Sequence, residues 1–327
     1  MSSRPSAYQL TSPGPLRLYS TTELLTLPPP EFLVEPIVQV GGFSGLYSPS
    51  NLGKTFVAID VAMSVASGLS WQGHATMEGY VIYVSAEGGS GIGKRARAWL
   101  QYHDVAARDA QIAWIIEPLL VYPESEQLDR LLERIAEIDR RPSLVVLDTL
   151  NRCFDGNENE TEDMTAFVRG CDILRHQLET AVLVVHHTRL DGDRERGNTA
   201  FKGAADTMIA LKAGEMHLTL ECAKQKEWEA FPAIDFRLDK VLMADEQDIA
   251  LDSCVPVLLN RQGRPQKVTD DQLLAPLRSG PLNAEEWRRL VQPEVSHRTF
   301  YRRIRDLYDT SLNHCEDGTY SLKHGRA

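Results

Sequence analysis

The chain of 327 residues has few cysteines, no long apolar run and no excess of basic charge. Its five cysteines are scattered and form no Cys-x-x-Cys pair. This argues against a disulfide framework or a zinc site and favours a reducing, cytoplasmic environment. No run reaches the roughly 18 apolar residues that a membrane helix needs, and the N-terminus lacks the layout of a signal peptide. We therefore expect a cytoplasmic protein without a membrane partner.

Basic charge is also scarce, because the formal net charge is −11. This value argues against a general coating of nucleic acid. Residues 268–327 are an exception, with nine basic and nine acidic side chains. The whole acidic excess therefore lies before residue 268, and any contact with nucleic acid must be local, at loops or on one helix.

The segment from Ser48 to Thr55 has the layout of a phosphate-binding loop. It follows a short apolar strand and ends in Gly-Lys-Thr at the start of an alanine-rich helix. In such a loop, backbone N–H groups and the lysine face the β- and γ-phosphates, and the threonine hydroxyl ligates Mg²⁺. Ser48 replaces the first glycine of the strict pattern, which is tolerable if its φ stays negative. We predict that ATP binds to Ser48, Pro49, Ser50, Asn51, Leu52, Gly53, Lys54 and Thr55.

A second glycine-rich segment, from Gly88 to Lys94, also has the Gly-four-residues-Gly-Lys spacing. Arg95 stands where serine or threonine should hold Mg²⁺. We reject this segment as the nucleotide loop for that reason.

Two acidic residues follow apolar strands and are candidates for catalysis. Glu87 comes just after Tyr80–Val84, at the position where RecA-type ATPases keep their general base. We predict that Glu87 orients and deprotonates the attacking water, the alternative being a surface acid that caps the next helix. Asp148 ends the run Leu144–Leu147 and is predicted to bind the water shell of Mg²⁺, although any buried parallel strand can end in aspartate.

Two histidines, His186 and His187, end another apolar strand. Adjacent residues of a strand point to opposite faces, so only one of them can face the nucleotide. We predict that His187 senses the γ-phosphate through a hydrogen bond. The alternative is one packed and one solvated histidine.

The order of the elements predicts an α/β fold with a mainly parallel sheet, because strand-like and helix-like stretches alternate from Ile37 onward. The last strands, Met208–Lys212, His217–Cys222 and Ile234–Leu238, have no helices between them. The sheet should therefore end in antiparallel strands. We divide the chain into a proline-rich flexible arm (1–36), a P-loop ATPase domain (37–258), a linker (259–267) and a C-terminal domain (268–327).

The C-terminal domain has the outline of a winged helix-turn-helix, with three helical stretches and a hairpin. Asn283 is expected to cap the helix Ala284–Val291. In the next helix, His297–Tyr308, one stripe carries Arg298, Arg302 and Arg305. This pattern predicts contact with duplex DNA. The competing interpretation is a module that docks onto the ATPase ring or a partner protein.

Taken together and in order, the motifs resemble the RepA-like hexameric ATPases, which are plasmid- and phage-type relatives of replicative DNA helicases. The resemblance covers roughly residues 37–240. Its matching segments are Ser48–Thr55, Val81–Trp99, Leu144–Arg152, Val184–Thr188, Arg196–Ala200, Gly203–Asp206 and Ala223–Lys226.

The resemblance implies a RecA-like core that closes a homo-oligomeric ring, with ATP at the subunit interfaces. It implies that Lys224 and Lys226 correspond to a Lys-x-Arg hairpin that enters the neighbouring site, with Lys226 in place of the catalytic arginine. The loop from Arg189 to Lys202 would face the pore and track single-stranded DNA. Solvated lysines and a plain solvated loop are the alternatives.

We therefore expect a Mg²⁺-dependent ATPase ring, with six subunits as the resemblance to this family implies, that acts as a DNA helicase in the replication of a mobile element. One alternative is a DNA-binding regulator or initiator that ATP switches without unwinding, and another is a recombinase-like filament. Glu87 favours turnover over a pure switch.

Overall fold

The computed structural model describes residues 18–87, 89, 91–138, 140–158, 160–188, 199–214, 217–244, 250–259, 273–291, 300, 303–304, 307–308, 311–315 and 318–323. Its strands are β1 (Phe32–Val34), β2 (Val38–Gln39), β3 (Phe43–Pro49), β4 (Tyr80–Ser85), β5 (Ile112–Ile115), β6 (Pro142–Asp148), β7 (Ala181–Thr188), β8 (Thr207–Ala213), β9 (Leu218–Gln225), β10 (Ile234–Ala244), β11 (Ala250–Leu258), β12 (Leu282–Asn283), β13 (Leu312–His314) and β14 (Thr319–Leu322). Its α-helices are α1 (Thr21–Leu25), α2 (Lys54–Ser67), α3 (Ile92–His103), α4 (Glu126–Ala136), α5 (Thr161–Leu178), α6 (Thr199–Ala204) and α7 (Ala284–Val291). Short 3-10 helices span Ala107–Asp109, Leu150–Arg152 and Ala275–Ser279.

A nine-stranded sheet organises the chain, in the order β11-β10-β9-β8-β3-β7-β6-β4-β5. Six neighbouring strands of this sheet, β8, β3, β7, β6, β4 and β5, run parallel. The remaining strands, from β9 to β11, join antiparallel. This arrangement fits the mixed α/β fold with a mainly parallel sheet that the sequence predicts, including its antiparallel end. The outermost antiparallel strand, β11, was not among the predicted strands.

Alternate residues of the parallel strands supply two apolar cores, one on each face of the sheet. On β4, Val81 and Tyr83 pack on the side of α2 and α3, whereas Ile82 and Val84 pack on the side of α4 and α5. All four side chains are at most 1% exposed. Burying each large apolar side chain contributes about 1.5–3 kcal/mol. The parallel strands are thus held between two helical layers, which fixes the loops at their carboxyl ends.

The packed structure begins inside the segment that the sequence analysis assigned to the arm. Leu33 and Val34 of β1 are fully buried in the core on the α2 side. Before them, α1 is capped by Ser20 and Glu23 and buries none of its residues. The sequence predicts a short helix over Thr21–Leu27, and the helix in the structure ends two residues earlier, at Leu25.

The described C-terminal residues form a three-stranded sheet in the order β12-β14-β13, around a separate apolar cluster that contains Trp287 and Phe300. The Asn283 side chain accepts hydrogen bonds from the backbone N–H groups of Glu285 and Glu286, so the predicted cap is present. The winged helix-turn-helix itself stays a prediction. Its candidate DNA contacts Arg298, Arg302 and Arg305 lie outside the described residues, as does most of the predicted pore loop, residues 189–198. Within the described part of the chain, no helix has the length and apolar character to cross a bilayer.

Candidate nucleotide site

Four parallel strands end side by side and bring the predicted site residues to one edge of the sheet. Ser48 of β3 stands opposite His187 of β7, and Ser85 of β4 stands opposite Asp148 of β6. Because ligands of open α/β sheets bind at the carboxyl ends of the strands, this edge is the expected place for a nucleotide.

The loop between β3 and α2 requires a glycine at its last position. Gly53 has φ 95°, in the left-handed region that favours glycine. A Cβ atom there would also lie 3.0 Å from Leu238 Cδ1. The loop therefore enters the first turn of α2 with Lys54 and Thr55 as the first helical residues. Backbone N–H groups at a helix N-terminus form a binding site for phosphate.

Lys54 is held at this loop by the residues that precede it. Its Nζ atom donates hydrogen bonds to the carbonyl oxygens of Ser48 and Pro49, at 2.9 and 2.8 Å, and to Ser48 Oγ at 3.2 Å. The side chain is 4% exposed. Burial lowers the pKa of Lys54 to about 8, against the opposing effect of Asp148 and Glu87. Ser48, which replaces the expected glycine, thus contributes both of its oxygens to positioning the lysine.

Thr55 and Asp148 lie together, as a Mg²⁺ site requires. Thr55 Oγ1 donates a 3.4 Å hydrogen bond to Asp148 Oδ1. The Tyr83 hydroxyl donates a 2.7 Å hydrogen bond to Asp148 Oδ2 and so orients the carboxylate. Burial raises the pKa of Asp148, while the hydrogen bonds from Tyr83 and Thr55 act in the opposite direction.

A hydroxyl and a carboxylate beside a phosphate loop fit Mg²⁺, which proteins usually hold through one or two carboxylates plus substrate phosphates. Thr55 and Asp148 would hold the ion here, and the ion would neutralise charge on the phosphates. Tyr83 was missed by the sequence analysis, because nothing in an apolar strand distinguishes a tyrosine that bonds to a carboxylate from one that only packs.

Glu87 lies at the centre of a small hydrogen-bonding group. Its Oε1 atom accepts a 2.8 Å hydrogen bond from Thr149 Oγ1 and lies 3.4 Å from His187 Nε2. The other ring nitrogen of His187, Nδ1, is 3.3 Å from Ser50 Oγ. The Glu87 side chain is 52% exposed, so it remains accessible to water.

The two histidines at the end of β7 separate as the alternation of a strand requires. His187 faces the phosphate loop and is 26% exposed. His186 is 4% exposed and packs with its ring centroid 6.0 Å from that of Phe201. Burial, together with the charges of His187 and Lys54, lowers the pKa of His186 to about 4 and keeps its ring neutral near pH 7.

Lys224 and Lys226 lie at the end of β9, and both interact with groups of their own chain. Lys224 Nζ donates to the carbonyl oxygens of Lys202, Gly203 and Ala205, at 2.7, 3.0 and 2.5 Å, and thereby caps α6. Lys226 Nζ is 3.8 Å from Asp206 Oδ1 and its side chain is 56% exposed. Neither ammonium bonds to the phosphate loop within the described residues, so their role in a neighbouring site stays a prediction.

The arrangement is suited to transferring a phosphoryl group to water. Lys54 and the N-terminus of α2 can bind the phosphates, Thr55 and Asp148 can hold Mg²⁺, and Glu87 can accept a proton from a water molecule. The positions follow from the sheet, since each of these residues lies at or just beyond the carboxyl end of a parallel strand.

A scan against protein-family models matches residues 18–193 to the AAA domain. The match covers more than half of the chain and includes the phosphate loop, Glu87, Asp148 and His187; Lys224, Lys226 and the C-terminal segment lie beyond it. A search of curated proteins found no match. The match, together with the site, assigns the chain: it belongs to the AAA domain family of P-loop ATPases.

Proposed function

We propose that this chain hydrolyses ATP with Mg²⁺ as a ring of identical subunits, and that hydrolysis drives a RepA-like helicase on DNA. The observation that carries the proposed hydrolysis is the position of Glu87, whereas the ring and the action on DNA rest on the resemblance of the sequence. The Glu87 carboxylate is exposed to water and bonded to Thr149, beside a strand that ends in the Mg²⁺ candidate Asp148. A protein that used ATP only as a switch would not need an accessible base at this point.

In the proposed reaction, the chain supplies positioning and charge. Lys54 binds the phosphates, and Glu87 orients a water molecule and accepts its proton. His187 lies between Ser50 of the loop and Glu87, so a phosphate that displaces Ser50 also changes the contact with Glu87. His187 is therefore suited to sense the γ-phosphate.

In such a ring, DNA binding and hydrolysis would be coupled through a contact between two segments of this chain, one predicted to face the pore and the other predicted to enter the neighbouring site. The predicted DNA-tracking loop leads into α6, and Lys224 binds three carbonyl oxygens at the end of that helix. Lys226, the proposed cation for the neighbouring site, is two residues further along the chain. A shift of the loop on DNA would move this strand end, and with it the charge offered to the neighbour's γ-phosphate.

Contact with duplex DNA is proposed for the C-terminal segment on its sequence alone. Three arginines at helical spacing, Arg298, Arg302 and Arg305, are suited to bind phosphates along a groove. In the full-length protein, a double substitution Arg302→Ala with Arg305→Ala should weaken duplex binding and reduce its dependence on salt. The basal ATPase rate should not change.

The proposal is tested by measuring ATP hydrolysis with and without single-stranded DNA, and by determining the native mass under the same conditions. We expect a ring of six subunits whose rate rises several-fold with single-stranded DNA, and unwinding of a forked duplex. The variant Glu87→Gln serves as the control for contaminating ATPases. A monomeric protein whose rate of ATP hydrolysis does not change with single-stranded DNA would refute the ring helicase. ATP-dependent duplex binding without unwinding would instead establish the regulator.

A further inference from the structure

Arg95 lies next to the phosphate site although its own glycine-rich segment is not the nucleotide loop. It belongs to the first turn of α3, which follows Glu87 by a short connection. Its guanidinium carbon is 5.0 Å from the centroid of the Phe56 ring, and Phe56 directly follows Thr55 in α2. The guanidinium also folds back over Gly91, where an added Cβ would lie 3.6 Å from Cζ. Arg95 is therefore half-buried between the first turns of α2 and α3.

The charge of Arg95 acts on the Mg²⁺ side of the site. The guanidinium lies close enough to Asp148 and Tyr83 to interact electrostatically with both groups. Among the residues that the structure describes, however, the guanidinium makes no hydrogen bond or ion pair. An arginine carries five N–H donors, and half-buried donors usually find an acceptor.

The balance of charge at the site indicates which acceptor would suit these donors. Glu87 and Asp148 bring two carboxylates, whereas the phosphate loop brings one cationic side chain, that of Lys54. A triphosphate adds further negative charge to this group. A Mg²⁺ ion held by Thr55 and Asp148 would offset this charge only in part. A further cationic side chain therefore suits the site, and an arginine fork matches the oxygens of a phosphate better than the point charge of a lysine.

We propose that Arg95 binds the γ-phosphate of ATP within its own subunit and stabilises the charge that develops there during hydrolysis. The inference rests on the proposed ATP hydrolysis. The proposal gives the segment Gly88–Lys94 a function. This segment connects the candidate general base Glu87 to Arg95, which would contact the phosphate. Arg95 would also replace the arginine that is missing at position 226. In other nucleotide hydrolases, an arginine of the same chain can stabilise the charge on the γ-phosphate.

Two other roles would leave Arg95 in the same place. In the first, Arg95 forms a structural cation–π pair with Phe56. In the second, it neutralises the charge of Asp148 and has no other role. Neither role distinguishes ATP from ADP, whereas contact with the γ-phosphate does. The neighbouring Lys94 is exposed and offers a matched control for the loss of one positive charge from the same turn.

The test uses full-length protein with the substitutions Arg95→Ala, Arg95→Lys and Lys94→Ala, each checked by thermal melting. Affinities for ADP and for a non-hydrolysable ATP analogue are measured with Mg²⁺. Arg95→Ala should weaken binding of the analogue about 10-fold or more, the usual effect of losing a charge-assisted contact. It should weaken binding of ADP less than about 3-fold. Its hydrolysis rate should fall about 10³-fold, as for a lost arginine in related chemistry. Lys94→Ala should change none of these values.

If Arg95→Ala lost the same affinity for ADP as for the ATP analogue, or lost affinity for neither, the inference would be overturned. If Arg95→Ala fails to fold, Arg95→Lys decides, since it keeps the stem and the charge but not the fork. A hydrolysis rate in Arg95→Lys equal to that of the wild type would then refute the proposed contact, and a rate at least about 10-fold lower would support it. Failure of the proposed function is a separate result. If the wild type bound ATP without hydrolysing it, the ratio of its affinities for the ATP analogue and for ADP could still be compared with that of Arg95→Ala.

Discussion

His187 Nε2 lies 3.4 Å from Glu87 Oε1, which connects the end of β7 to the candidate general base beyond β4. The other ring nitrogen reaches Ser50 in the phosphate loop. A neutral imidazole has one donor and one acceptor nitrogen, so it can link the two sides with a defined direction. The position of Glu87 and the conformation of the loop are thereby coupled through one side chain.

Replacing His187 should separate nucleotide binding from turnover. His187→Ala is expected to reduce kcat about 10²-fold, the typical cost of one lost hydrogen-bonding group at a reacting centre, while the affinity for ATP stays within a few-fold. His187→Gln, which keeps a hydrogen-bonding amide, should retain more activity. Both are measured by steady-state kinetics and nucleotide titration. Equal activity of the alanine variant and the wild type would contradict the coupling.

Glu87→Gln should still bind ATP and assemble, because glutamine keeps the shape of the side chain and its contact with Thr149. We expect kcat to fall about 10²–10⁴-fold, which is the usual contribution of a general base. Single-turnover hydrolysis with radiolabelled ATP measures this loss directly. A turnover at the level of the wild type would remove Glu87 from the mechanism.

Mixing two inactive variants tests whether Lys226 acts on the neighbouring subunit. Lys226→Ala and Glu87→Gln should each be inactive alone and should partly recover hydrolysis when mixed. Some interfaces would then combine an intact Glu87 with an intact Lys226 of the neighbour. If subunits demonstrably exchange and no activity returns, Lys226 acts within its own subunit or has no part in hydrolysis.

A buried carboxylate in α2 should make stability depend on pH. Asp60 is 1% exposed and accepts 2.7 Å hydrogen bonds from Trp99 Nε1 and Gln72 Nε2. Burial raises the pKa of Asp60 to about 6, although the hydrogen bonds act in the opposite direction. Because the folded state binds this proton more tightly than the unfolded state, the associated stabilisation is present below pH 4 and is lost as the pH rises through about 6.

The substitution Asp60→Asn removes this titration. Between pH 4 and pH 7, the free energy of unfolding of the wild type should fall by about 2 kcal/mol more than that of Asp60→Asn, because most of the shift of roughly two pK units is lost in this interval. Urea melts at several pH values give this difference. Glu133→Gln, on the exposed face of α4, should show no such trend. A constant difference between wild type and Asp60→Asn would contradict the raised pKa.

The phosphate loop and the ends of the parallel strands could be predicted because they depend on local patterns. Glycine, lysine and threonine after an apolar run specify a turn into a helix, and an acid after a buried strand lies at the carboxyl edge of the sheet. The contact of Tyr83 with Asp148 could not be predicted in this way. It joins residues 65 positions apart and depends on the order of the strands.

Of the strands that were not predicted, β11 and β1 were missed for identifiable reasons. The strand β11 contains Pro256, which argues against a strand in the middle of a sheet but is tolerated at an edge, and β11 is the edge strand. The strand β1 has only three residues and follows the run Pro28–Pro30. It is held by burial of Leu33 and Val34 in the core, which a local pattern does not reveal.

The most direct test of the account compares ATP binding and hydrolysis by the wild type, Lys54→Ala and Lys94→Ala. In the proposed site, the phosphates bind at the loop between β3 and α2, where the Lys54 ammonium is held by Ser48 and Pro49. Lys54→Ala should therefore abolish hydrolysis and most nucleotide binding, whereas Lys94→Ala should leave both nearly intact. The opposite ranking would mean that the second glycine-rich segment binds the nucleotide and would contradict the account.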